Sequence, residues 1–186
     1  MGRVSQAQAQ ENRRRVVETA SQLFREQGTG VSVADLMKAA GLTHGGFYKQ
    51  FASKDALIDE ALTYAFGEFA GRHADALAGE SAGREAAQQA LVHAYLSPRH
   101  RDDPGRGCPA AALASDMARE AGDPEARRTY ADGVVEFAGW LATDDEDGLA
   151  RLSTLIGAMV LARATKGSPL SDEILAAARS ALSPRG

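Results

Sequence analysis

With Cys108 as its only cysteine, the chain can form no internal disulfide, and no Cys/His cluster has the spacing of a zinc site. Its four histidines, His44, His73, His93 and His100, are scattered, and none stands in an HExxH. No Ser/His/Asp or Cys/His constellation is apparent. No glycine-rich phosphate loop follows a strand, and no carboxylate pair has a metal-ligand partner. Neither catalytic residues, a metal nor a cofactor are expected, and the chain does not read as an enzyme. Long apolar runs are missing, so no membrane span is expected. The N-terminus is polar through Arg15, so no secretory leader is expected and the cytoplasm is the expected location. Aromatics are only 6% of the chain and sustained period-two alternation is absent, which argues against a β-sheet.

What is present is a helix-forming, alanine-rich chain of 186 residues, 44% apolar and 25% charged, enough for a packed core. The formal net charge of −4 is unevenly spread. Residues 1–54 carry eight Lys/Arg against four Asp/Glu; residues 55–186 carry thirteen against twenty-one. A basic N-terminal end on an acidic body suggests that one end meets phosphate.

Residues 1–10 are polar and read as a flexible arm. A helix is predicted from about Glu11 to Gln27, where Val16, Val17, Ala20, Leu23 and Phe24 form one apolar stripe. Gly28 and Gly30 stop it. Ser32 with Asp35 three residues on suggests a capping box for a second helix, Val33 to Ala40. Gly41 permits the left-handed backbone of a tight turn. Thr43 is a candidate N-cap for a third short helix ending near Gln50, and Ser53 opens a fourth that reaches about Ala78. Further helices are predicted at about 84–97, 108–121, 124–142, 146–166 and 171–182. The expected breakers are Gly79–Gly83, Pro98–Gly107, Gly122-Asp123-Pro124, the acidic stretch Thr143–Asp147 and Gly167-Ser168-Pro169.

Two short helices joined through Ala40-Gly41-Leu42 follow the helix-turn-helix plan, in which the second helix enters a DNA major groove. That helix would read Thr43-His44-Gly45-Gly46-Phe47-Tyr48-Lys49-Gln50. Adjacent glycines in a helix cost about 1 kcal/mol each. Gly45 and Gly46 therefore either allow close approach to a sugar-phosphate or thymine methyl, or simply loosen an exposed turn. Thr43, His44 and Tyr48 can donate to phosphates or bases, while Lys49 and Lys54 can neutralise phosphates. Ser32 caps its helix and is a further candidate phosphate contact. Phe47 and Phe51, four apart, are assigned to the core of this unit.

The run from Gly41 through Phe47-Tyr48, Phe51, Ser53-Lys54 and Leu57 resembles the signature of the tetracycline-repressor (TetR/AcrR) family. The preceding Ala20, Leu23, Phe24, Gly28, Val33 and Leu36 fit the same pattern, and the likeness covers about residues 11 to 62. The resemblance implies an all-α homodimer with a three-helix headpiece, a fourth linking helix and a ligand-binding body whose last two helices pair with their mates. It also places Thr43, Gly45, Tyr48, Lys49 and Lys54 where the family commonly contacts DNA. Gly46 departs from the family, many members carrying a larger residue there. The expected division is thus a flexible arm over 1–10, a DNA-binding domain over 11–52 and a ligand-binding and dimerisation domain over 53–186. The expected function is a repressor bound to a palindromic operator and released by a small molecule.

In the body, an apolar excess on the last two helices points to Leu152, Leu155, Ile156, Met159, Ile174, Leu175, Ala178 and Leu182 as a dimer interface. The alternative is one monomer core. Phe66, Phe69, Tyr95, Leu113, Met117, Tyr130, Phe137, Trp140 and Met159 are candidate pocket residues, each also suited to ordinary core. Cys108, at a predicted helix start near Arg106, reads either as a low-pKa thiol sensing electrophiles or oxidants, or as a buried packing residue. The expected partners are double-stranded operator DNA, a second copy of the chain and an unidentified small-molecule effector.

Overall fold

The computed structural model describes residues 6–79, 83–119, 124–144 and 146–183, with the backbone alone for 73–79. Every regular element among the described residues is a helix, with no strand among them. Helix α1 runs over Gln6–Gln27. Gln6 to Gln10, expected in an arm, extend this helix because Gln and Ala are strong helix formers; residues 1–5 lie outside the described set. Val16, Ala20 and Phe24 are buried at steps of four, giving one inward stripe. Gly28, at φ 81°, ends the helix.

Helix α2 spans Val33–Ala39. The Ser32 hydroxyl accepts from the Asp35 N–H at 3.1 Å and donates to the Asp35 carboxylate at 2.6 Å. The expected reciprocal box is therefore not formed: the carboxylate takes the hydroxyl proton instead of reaching back to the Ser32 N–H. At the other end the Leu42 N–H bonds the Met37 carbonyl at 2.8 Å and the Gly41 N–H bonds that of Lys38 at 3.0 Å. This is the Schellman pattern, and it requires the left-handed residue that Gly41 supplies at φ 69°.

The segment after the turn, His44–Lys49, is a 3-10 helix instead of the expected α-helix. Bonds from Gly46 N–H to the Thr43 carbonyl and from Gln50 N–H to that of Phe47 close tight turns of 2.9 and 2.8 Å. Six residues with two central glycines have too little propensity to hold a regular α-turn. Thr43 makes no side-chain cap bond. Helix α3, Lys54–Gly79, begins where the Ser53 hydroxyl accepts from the Ala56 N–H at 3.0 Å.

The body comprises α4 (Arg84–Tyr95), α5 (Pro98–Asp102), α6 (Pro109–Arg119), α7 (Pro124–Leu141), α8 (Gly148–Ala164) and α9 (Pro169–Ala181). Pro98–Gly107, expected only to break structure, holds α5 and a 3-10 turn over Pro104–Arg106. The signal was available: Ser97 caps the His100 N–H and proline stands in the first helical turn. Asp147 caps α8 through the Leu149 N–H, and Ser168 caps α9. The expected breakers at 80–82 and Gly122-Asp123 lie outside the described residues. Helix α3 packs on α1 and α7, α7 on α8, and α8 on α9, while α6 touches α1, α7 and α8. One cluster of buried apolar side chains runs from Val16 to Leu182 without dividing near residue 52.

Candidate nucleic-acid interface and body cavity

Phe47 and Phe51 stack at 5.4 Å beneath the 3-10 helix, both buried, and Arg13 of α1 lies 4.3 Å over the Phe51 ring. The Arg13 guanidinium also donates to the Gln50 carbonyl and pairs with Glu60 of α3. One arginine thus ties α1, the end of the 3-10 helix and α3 together. With Phe47 anchored inward, Thr43, His44, Gly45, Tyr48 and Lys49 remain exposed, and the Tyr48 ring is 68% accessible. The His44 and Tyr48 rings meet edge-on at 6.3 Å. Lys54 is half-buried at the start of α3. Neither Lys49 nor Lys54 forms an ion pair with a described residue, leaving both charges available to an external anion.

No internal packing demands the two glycines. A Cβ on Gly45 would meet nothing within 4 Å, and one on Gly46 only ordinary contacts at 3.6 and 3.8 Å. Ser32 is exposed, but its hydroxyl is already engaged by Asp35, which leaves its backbone N–H as the group free of that bond.

In the body, a cavity of about 650 Å³ opens between α3, α4, the α5 segment and the end of α7. Phe69, Tyr95 and Trp140, all expected there, line it. Phe66, Leu113, Met117, Tyr130, Phe137 and Met159 do not; they pack into the core around it. Phe66 lies against Gly133, where any Cβ would sit 2.5 Å from the ring, and the Tyr130 hydroxyl donates to the Ala110 carbonyl at 2.7 Å. Sequence reasoning missed the apolar wall of Ala87, Leu91 and Ala94 and the polar rim of Arg72, Arg99, Asp103 and Arg106. Their convergence is a tertiary property with no local signal. The buried Gln88 amide donates to the Trp140 and Ala142 carbonyls at 2.7 and 3.1 Å, stitching α4 to the end of α7.

Cys108 corrects the reactive-thiol reading. The residue is fully buried and does not line the cavity. Burial pushes its thiol up, opposing the helix-terminus effect, so the uncharged form is held. Its N–H instead donates to His100 Nε2 at 3.1 Å. Because Nε2 accepts, the ring proton sits on Nδ1, which donates to the Tyr95 carbonyl at 2.8 Å. His100 therefore bridges the end of α4 and the start of α6 as a neutral ring, and burial lowers its pKa to about 4.

The segment from Ser97 to Gly107 has the cavity on one side and α1 on the other. Its residue Gly105 sits so close to Glu26 that a Cβ would lie 2.2 Å from the carboxylate. The Gly107 carbonyl accepts from Arg25 of α1 at 3.1 Å, and the same buried guanidinium pairs with Glu68 of α3 at 2.9 Å. Further along, Asp116 of α6 accepts from both the N–H and the hydroxyl of Thr29 at 3.1 Å.

The expected dimer residues fall on two faces. Leu152, Leu155, Met159, Leu175, Ala178 and Leu182 are buried inside the protomer, with only Ile156 and Ile174 half-buried. The large apolar side chains that α8 and α9 leave exposed are Leu149, Val160, Leu161 and Leu170. Both stripes of these helices are apolar, so composition does not separate the side chains that pack inside the protomer from those that face outward. Among the described residues no helix is long and apolar enough to cross a membrane, and no group of three or more His, Cys, Asp or Glu is placed to hold a metal.

Residues 16–61 match the family model described as bacterial regulatory proteins, tetR family. A 61-residue stretch is 38% identical to the HTH-type transcriptional regulator AcrR of Shigella flexneri, covering 32% of this chain and 28% of that protein. The whole fold superposes on solved structures. E. coli NemR in its reduced form gives a TM-score of 0.77 at 19% identity, over 92% of this chain and 95% of that one. A TetR transcriptional regulator from Chloroflexus aurantiacus gives 0.70 at 25% identity, over 95% and 94%. A TetR-family regulator from Agrobacterium tumefaciens gives 0.76 at 19% identity, over 94% and 97%.

Proposed function

Because this chain belongs to the TetR/AcrR family of transcriptional regulators, we propose that it is a ligand-responsive repressor: a homodimer that binds a palindromic operator and leaves it when a small molecule enters the body. The observation that carries this reading is that one uninterrupted helix, α3, carries Lys54 in its first turn, just after the exposed glycine segment in sequence, and Phe69 and Arg72 at the cavity. Binding at one end and recognition at the other then share a rigid element. The strap from Ser97 to Gly107 offers a second route, through Gly105 against Glu26 and Gly107 against Arg25. The protein acts by binding and not by catalysis, and the cytoplasm, where operator DNA lies, is its place of action.

In this reading residues 11–52 are the DNA-binding unit and 53–186 the sensing and dimerising unit. Thr43, His44, Tyr48, Lys49 and Lys54 contact the duplex, Gly45 and Gly46 let the backbone approach it, and Ser32 contributes its N–H. The dimer face is the outward stripe of Leu149, Ile156 and Val160 on α8 with Leu170 and Ile174 on α9, residues that recur at helical spacing on one side. Selection from a random duplex library, followed by binding and stoichiometry measurements, tests it. An enriched palindrome carrying two protomers is the expected result. Enrichment of no sequence, or a single protomer bound to an asymmetric site, overturns it.

A further inference from the structure

Three arginines from three different elements meet at the cavity: Arg72 of α3, Arg99 of α5 and Arg106 of the 3-10 turn. None forms an ion pair with a described residue; Arg72 lies only over the Phe69 ring, at 5.9 Å. Among the described residues Asp103 is the only carboxylate lining the cavity, and His100 is a neutral ring there. The surrounding body has the opposite sign, thirteen basic against twenty-one acidic residues over 55–186. Three arginines against one carboxylate among the described lining residues leave an excess of positive charge at the opening, which an incoming anion would offset. Across from them Ala87, Leu91, Ala94 and Trp140 offer an apolar wall.

We propose that the cavity binds a small organic anion, a compound carrying a carboxylate, sulfonate or phosphate on an apolar body. The planar forks of Arg72, Arg99 and Arg106 hold the charged group, and the wall around Leu91 and Trp140 holds the rest. A volume of about 650 Å³ suits a ligand of drug size. The inference rests on the effector reading above and specifies the chemistry of the same cavity.

Trp140 is the chain's only tryptophan and lines this cavity, so its emission reports on this site. Anilinonaphthalene sulfonate and its uncharged parent, phenylnaphthylamine, share one apolar body and differ by the sulfonate. The full-length protein is titrated with each, following energy transfer from Trp140. The sulfonate should bind roughly tenfold more tightly than the parent, the factor expected of one charge-assisted hydrogen bond. The combined Arg72→Gln, Arg99→Gln, Arg106→Gln variant should lose that preference while keeping its affinity for the parent and its melting temperature. Equal affinities in the natural protein, an unchanged preference in the variant, or failure of both probes to reach Trp140 overturns the assignment. Release of bound operator DNA is followed in parallel. If the sulfonate binds and DNA stays bound, the anion site stands and the effector reading falls. If only the parent binds and DNA leaves, the effector reading stands and the anion site falls.

Discussion

The segment that faces outward at Gly45-Gly46 and the strap that holds Gly105 and Gly107 use the same residue for opposite reasons. Around Gly45 there is open space, whereas a Cβ on Gly107 would sit 2.8 Å from the Arg163 guanidinium, 2.9 Å from His100 Nε2 and 3.1 Å from the Pro104 carbonyl. In the strap, glycine is demanded by the chain's own packing. In the headpiece nothing inside the chain demands it, and the proposed demand comes from the duplex. A glycine identified in a sequence is therefore ambiguous until its surroundings are known.

Acid should strike the strap hardest. The pKa of His100 is lowered to about 4 in the folded chain, against an ordinary value of 6.5. Its contribution is thus complete above about pH 6.5 and is lost as pH falls towards 4, because the unfolded chain binds the proton first. The loss reaches about 3 kcal/mol at most. His100→Asn should be less stable at neutral pH and show a flatter stability profile between those limits by chemical denaturation. An unaltered slope would remove the neutral bridge from the account. Next comes Gly107→Ala, which must displace a backbone carbonyl as well as two side chains and should cost about 1–3 kcal/mol, seen as a lower denaturation midpoint.

The headpiece should answer in a different observable. Lys49→Ala and Lys54→Ala should each weaken DNA binding across all sequences and lower the salt slope by about one, with little change in melting temperature. Unchanged affinity and salt dependence in both would show that these lysines do not face phosphate. The smallest stability effect belongs to Gly45→Ala: neutral, or stabilising by up to about 1 kcal/mol, because a bare helical position gains propensity. Its operator affinity should nevertheless fall. If affinity survives, Gly45 only loosens a turn and the contrast with Gly107 loses its meaning.

The local code was readable wherever one residue decides a structure over a few neighbours. Ser32 and Ser53 cap the helices they precede, Gly41 makes the turn, and Phe47 and Phe51 fall in the core. The 3-10 winding of His44–Lys49 was not foreseen: Gly45 and Gly46 weaken an α-helix of that length, but the two windings differ by one hydrogen-bond step and the pattern of residues alone does not choose between them. Faces of apolar helices were harder still. Leu155 and Val160 look alike in sequence, yet one is fully buried and the other 42% exposed, because tertiary placement alone selects the inward stripe of α8. Cys108 stands between two readings in the sequence for a related reason: its place at a helix start is local, whereas the burial that dominates its thiol is not. The arginine rim lay beyond reach altogether, since Arg72, Arg99 and Arg106 approach one another only when three elements fold together.

Helix α3 runs unbroken for 26 residues, a length of about 39 Å. Such a rod exchanges angle for distance. If the helix tilts by about five degrees about Arg72 at the cavity, Lys54, about 27 Å along the axis, sweeps through about 2 Å by simple trigonometry on that length. A hydrogen bond near 2.9 Å does not survive a displacement of that size. In the proposed mechanism, then, a disturbance too small to disrupt packing around an occupant would suffice to unseat a neighbour at the opposite tip, and stiffness, more than mobility, would make so slight a cause effective.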